Sequence, residues 1–133
     1  MDVNAPAWID YAIAARRLWQ VRRDLARLGF AKSVQRWASA PLGQSQATDP
    51  QHWAWCIHRL GRHWRGSRCL DQSLALTSIL REHGFGAQML IGAERHALRV
   101  AAHAWVEVDG QALDELGAPR ARFRILDTWP HET

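Results

Sequence analysis

Apolar residues recur along the first third of the chain at helical spacing. Trp8, Tyr11, Ala15, Leu18, Trp19, Arg22, Leu25 and Leu28 step at three and four positions, with further arginines on the other face, which predicts an amphipathic helix over residues 7–29. Gly29 is a natural stop, and a shorter helix over Lys32–Ala40 follows before Pro41. The stretch Pro41–Pro50 is polar and rich in turn formers, so it reads as a loop. Pro50 suits the first turn of the next helix with Asp49 as its N-cap, and Trp53, Ile57, Leu60 and Trp64 mark that helix's buried stripe. Ser67 is placed to cap a further helix that carries Cys69, runs to about His83 and stops at Gly84. It holds Leu70, Leu74, Leu76, Thr77, Ile79 and Leu80 inside.

Beyond Gly86 the period changes from 3.6 to 2. Ala87–Ile91 reads as a short strand, Glu94–Leu98 as a loop and Arg99–Val108 as a longer strand. Asp109-Gly110 is a strong two-residue hairpin signal, so Gln111–Leu116 should return antiparallel. Gly117-Ala-Pro119 breaks that strand, and Arg122–Leu126 is one more. Helices first and an antiparallel sheet last make an α+β fold: N-terminal helices, then a nucleophile-bearing helix packed on a small antiparallel sheet. With 133 residues the chain is read as a single domain. Residues 1–49 form its helical N-terminal part and 50–133 its catalytic core, since neither half has apolar mass enough to stand alone.

Composition narrows the classes. An apolar fraction of 47% is ordinary for a globular protein, and no apolar run is long enough to span a membrane. Met1-Asp-Val-Asn-Ala-Pro6 does not resemble a signal peptide, so a cytoplasmic location is expected. Two cysteines, Cys56 and Cys69, are too few for a disulfide framework and are expected as free thiols. Cys56, beside the Trp53–Trp64 stripe, reads as a small core residue. The net charge is +4, and all but one of the 17 basic residues are arginine. That balance favours acidic partners. Arg16-Arg17 and Arg22-Arg23 form a basic face, yet no aromatic or glycine-rich RNA module accompanies them, so nucleic acid is not expected. A recognition partner or an acidic peptide fits that face as well. His52, His58 and His63 are spaced six and five apart and do not share a face at metal-ligand distance; neither metal nor cofactor is expected. Eight tryptophans serve core packing or a groove for an extended ligand.

Cys69 is the first candidate for chemistry. A thiol attacks as thiolate, and a helix N-terminus flanked by Arg65 and Arg68 favours the anion, while the Cys69 backbone N–H can donate to an oxyanion. His103 is the second: a polar ring in an otherwise apolar strand, Ala101-Ala-His-Ala-Trp105, costly to bury without a partner. A two-residue Asp109-Gly110 turn sets Val108 opposite Gln111, Trp105 opposite Asp114 and His103 opposite Leu116. Asp114 then shares a face with His103 and lies diagonal to it, within reach of its ring, whereas Glu115 points to the other face and Asp109 serves the turn. A carboxylate that orients the imidazole is the third member a Cys-His pair uses.

Cys69-Leu-Asp-Gln-Ser-Leu-Ala75, Gly84-Phe-Gly-Ala87 and Ala102-His-Ala-Trp-Val-Glu-Val-Asp-Gly110 together resemble the transglutaminase-like, papain-like leader peptidases of lasso-peptide biosynthesis. The resemblance covers about residues 50–116. It implies a papain/transglutaminase-like fold and a triad with Cys69 as nucleophile, His103 as general base and acid, and Asp114 as orienting acid. It also implies cleavage of a precursor peptide between leader and core through a thioester, releasing an amine for an ATP-dependent cyclase. The helical opening implies that leader recognition lies in a separate partner protein. Trp64 Nε1–H and Gln72 are candidate second donors to the oxyanion. Two other readings stay open: an amine acyltransferase on the same fold, and a non-catalytic arginine-rich binding module.

Overall fold

The computed structural model describes residues 7–44, 49–66, 68–113 and 118–131, apart from the side chains of Ala7 and His96. Four helices open the chain: α1 (Ala7–Leu28), α2 (Phe30–Ala38), α3 (Pro50–His63) and α4 (Cys69–Glu82). The sheet follows, with β1 (Ala87–His96), β2 (Arg99–Val108) and β3 (Gln111–Ala112), then a one-turn helix α5 (Pro119–Arg122) and β4 (Arg124–Trp129). All pairings are antiparallel, in the order β3-β2-β1-β4. The α+β layout is the expected one.

α4 is the central element, packed against α1, α2 and α3 on one side and β1 and β2 on the other. From Ser73 to Leu80 every side chain is buried. Two of the polar ones are satisfied locally: the Thr77 hydroxyl donates to the Ser73 carbonyl and the Ser78 hydroxyl to the Ala75 carbonyl, each at 2.8 Å. Arg17 of α1 donates to Ser78 Oγ at 2.8 Å and reaches Glu82, tying α1 along α4. One apolar cluster joins Ala14, Leu18 and Val21 of α1, Trp53 and Ile57 of α3, Leu74 and Ile79 of α4, and Met89, Val106 and Val108 of the sheet.

The cap signals hold where they fall on described residues. Asp49 accepts from the Gln51 N–H at 2.9 Å with Pro50 behind it. α4 ends in a Schellman motif: Gly84 has φ 87°, Phe85 N–H donates to Leu80 O at 2.9 Å, and Gly84 N–H to Arg81 O at 3.1 Å. Asp109 and Gly110 have φ 53° and 79°, the two left-handed residues a tight hairpin needs, and Val108 pairs with Gln111 as expected.

Several boundaries move. The Lys32–Ala40 helix begins earlier, at Phe30, because Gly29 at φ 83° is by itself the whole break between α1 and α2. α1 buries Ala14, Leu18, Val21 and Asp24, whereas Trp8 and Trp19 of the expected stripe face solvent. The N-cap of α4 is Arg68, and Ser67 lies outside the described residues. The expected Glu94–Leu98 loop is instead strand closed by Ala97-Leu98, with Ala97 at φ 52°, so β1 and β2 pair from His96↔Arg99 onward. The last strand is Arg124–Trp129 in place of Arg122–Leu126, because Pro119 starts a helical turn. β3 is described only at Gln111–Ala112, and residues 114–117, including Asp114, Glu115 and Leu116, lie outside the described residues.

Candidate active site

The first turn of α4 is assembled by a buried carboxylate. Asp71 accepts from the Arg68 backbone N–H at 2.8 Å and lies 3.3 Å from Arg22 Nε of α1. Arg22 also donates to the Arg65 carbonyl at 3.1 Å, so one guanidinium binds the helix start to the segment before it. The first α-helical bond here runs from Gln72 N–H to Arg68 O at 3.1 Å, so the N–H groups of Cys69 and Leu70 precede the first intrahelical acceptor. Cys69 is the first residue of α4 and is exposed. Its thiol therefore stands in solvent at the positive end of the central helix, beside N–H donors suited to an oxyanion.

His103 lies in the middle of β2, half-buried, opposite Gly92 of β1. β2 alternates strictly. Ala104, Val106 and Val108 turn toward α4, while His103, Trp105 and Glu107 turn to the other face, with Leu90 and Phe123. The imidazole stacks on Trp105 at 5.9 Å between centroids and on Phe123 at 5.2 Å. Gly92 makes this possible: a Cβ there would lie 2.7 Å from Phe123 Cβ and 3.0 Å from the Trp105 ring. The β1–β4 register also shifts between Ile91 and Gly92. Trp105 is fixed in turn, its Nε1–H donating to Glu107 at 3.0 Å, and Glu107 is only 2% exposed. Arg120 of α5 closes the set with a forked pair of bonds to Glu107 at 2.9–3.1 Å.

The structure thus places Cys69 at an exposed helix start and His103 on an aromatic bed. No hydrogen bond joins the two among the described residues, and Asp114 lies outside those residues. Of the candidate oxyanion donors, Trp64 is the C-cap of α3 under the Arg22 guanidinium, 5.4 Å from the ring centroid. The Gln72 side chain lies on Gly61, where a Cβ would be 2.3 Å from Gln72 Nε2.

A second thiol–imidazole–carboxylate set exists among the helices and is chemically different. Cys56 Sγ is 3.9 Å from His52 Nε2, and that same nitrogen is 2.7 Å from Asp10 Oδ2. One nitrogen facing both neighbours cannot take a proton from the thiol while the carboxylate holds the ring from the far side. Cys56 is fully buried, and burial, with Asp10 adding to it, pushes its thiol up to about 11. This set is structural, as a core cysteine should be.

Sequence reasoning missed Glu107, Arg120, Asp71 and Arg22. The acid at the third position of α4 was a readable capping signal for Asp71. Glu107 looks like an ordinary solvent-facing position in an alternating strand, and its cover comes from Arg120 beyond the hairpin.

Among the described residues no helix is long and apolar enough to cross a membrane. No curated protein and no solved structure matches the chain. The sequence pattern of the transglutaminase-like superfamily matches residues 15–128, from the first helix through β4. The chain belongs to the transglutaminase-like superfamily, a group that includes cysteine peptidases and acyltransferases.

Proposed function

We propose that the protein is a cysteine peptidase that removes the leader from a ribosomally made lasso-peptide precursor, using Cys69, His103 and Asp114. The observation that carries the reading is an exposed cysteine as the first residue of the central helix of a transglutaminase-like chain.

In this mechanism His103 takes the thiol proton and the Cys69 sulfur attacks the scissile carbonyl. The oxyanion is held by first-turn N–H groups, and the amine of the core peptide leaves with the proton from His103. Water activated by the same imidazole then hydrolyses the thioester and frees the leader acid. Asp114 orients the ring. The pair must close when substrate binds, since catalytic hydrogen bonds are commonly long before substrate arrives. Leader recognition falls to a separate protein, and the freed amine is the substrate of an ATP-dependent cyclase.

The test is mass spectrometry of the precursor peptide incubated with this protein and the recognition protein. Leader and core fragments are expected with the unmodified chain and none with Cys69→Ala. Equal cleavage by both would remove Cys69 from the chemistry, and a conjugate formed with an added amine in place of the free acid would make the enzyme an acyltransferase.

A further inference from the structure

A cleft of about 520 Å³ lies between α1 and the end of α3, lined by Trp19, Arg22, Arg23, Arg27 and Trp64. No carboxylate lines it. Trp19, Arg23 and Arg27 follow each other at four-residue steps on one face of α1, and Trp64 closes the opposite wall. Two of the cations lie over indoles: Arg23 is 5.0 Å from the Trp19 centroid and Arg22 is 5.4 Å from that of Trp64. Arg22 is also held by Asp71 and the Arg65 carbonyl, and Arg23 lies 3.5 Å from Asp24 Oδ1. Trp19 is 52% exposed, an apolar surface that the chain's own packing does not use. Arg27 has no acidic partner among the described residues. The cleft also adjoins the candidate active site, because Arg22 spans from its wall to Asp71, two residues after Cys69.

We propose that this cleft is a docking groove for an acidic peptide segment of the substrate, with a carboxylate on Arg27 and an apolar side chain between the two tryptophans. Charge complementarity fixes the sign of the ligand, and the paired indoles fix its amphipathic character. The groove would hold one flank of the peptide while Cys69 acts on the bond beyond it, so the inference rests on the peptide-cleaving reading for its purpose, though not for its chemistry.

The test uses the full chain carrying Cys69→Ala and two fluorescein-labelled dodecapeptides, one alternating Asp or Glu with Leu and Phe, the other its Asn/Gln counterpart. Anisotropy should show the acidic peptide binding at least about tenfold more tightly, with the difference shrinking from about 50 to about 300 mM salt. Arg27→Glu and Trp19→Ala, both at exposed positions, should each weaken the acidic peptide by about tenfold. In the chain with Cys69 intact, Arg27→Glu should raise KM for the precursor rather than lower kcat. Equal binding of the two peptides, or full affinity in both variants, overturns the proposal. So does a loss in Arg27→Glu seen only when the recognition protein is present, since the surface then belongs to that protein. Tight binding of the acidic peptide, with no cleavage of the precursor by the chain that keeps Cys69, upholds the groove and counts against the peptidase.

Discussion

Two thiols of one chain sit in opposite surroundings. Cys56 is buried beside His52 and Asp10, and Cys69 is exposed at the head of α4. Iodoacetamide near pH 7 followed by peptide mapping should label Cys69 and leave Cys56 untouched, because only an accessible thiolate reacts. Cys56 also has a consequence for stability. Its pKa is raised from the ordinary 9.0 to about 11, so the folded chain holds that proton more tightly than the unfolded chain. The stabilisation is fully present below about 9.0 and is lost as pH rises toward about 11. Thermal melts across that window should fall more steeply for the unmodified protein than for Cys56→Ala; parallel curves would contradict the burial argument. Glu107 is the other informative residue. Arg120→Ala leaves its carboxylate with Trp105 Nε1–H alone among these two partners, at a cost on the order of 2 kcal/mol by urea denaturation. An unchanged midpoint would mean that water replaces the guanidinium without loss.

Elements depend on a few backbone positions. Gly92→Ala drives a methyl into Trp105 and Phe123, so it should cost about 1–3 kcal/mol and disturb the surface on which His103 rests. Asp49→Ala should cost only about 1 kcal/mol, since it removes one cap at the far end of α3. If Gly92→Ala proves the milder of the two, the close packing behind His103 is looser than described. The same contrast explains what could be read from the chain. Caps and turns were legible because their signals are local: Asp49-Pro50, Gly84 and Asp109-Gly110 each act within a few residues. The buried face of α1 was not. Large aromatics at Trp8 and Trp19 drew the stripe toward themselves, but α1 packs against α3 and α4 through Ala14, Leu18 and Val21, and leaves those tryptophans outside. Likewise the polar stretch after Ile91 looked like a loop. It is strand because Arg99 and Val100 pair back onto it, a long-range fact that alternation over five residues does not carry.

At the scale of the whole molecule, helices and sheet share one core through α4, so Cys69 stands at the end of the most deeply anchored element. Rigidity there suits a nucleophile, while His103 packs on Trp105 and Phe123 of a second, smaller cluster on the sheet's far face. Cysteine and histidine were legible as candidates, and so was the face that His103 shares with Trp105, because strand parity follows from the hairpin register. The distance between them was not legible, because it depends on how α4 packs on the sheet. The most direct test is therefore the rate of Cys69 alkylation by iodoacetamide near pH 7 in the unmodified protein and in His103→Ala, with circular dichroism confirming that both are folded. A drop of about tenfold or more in the variant is expected if the imidazole takes the thiol proton. Identical rates in two folded proteins would contradict the Cys69–His103 pairing.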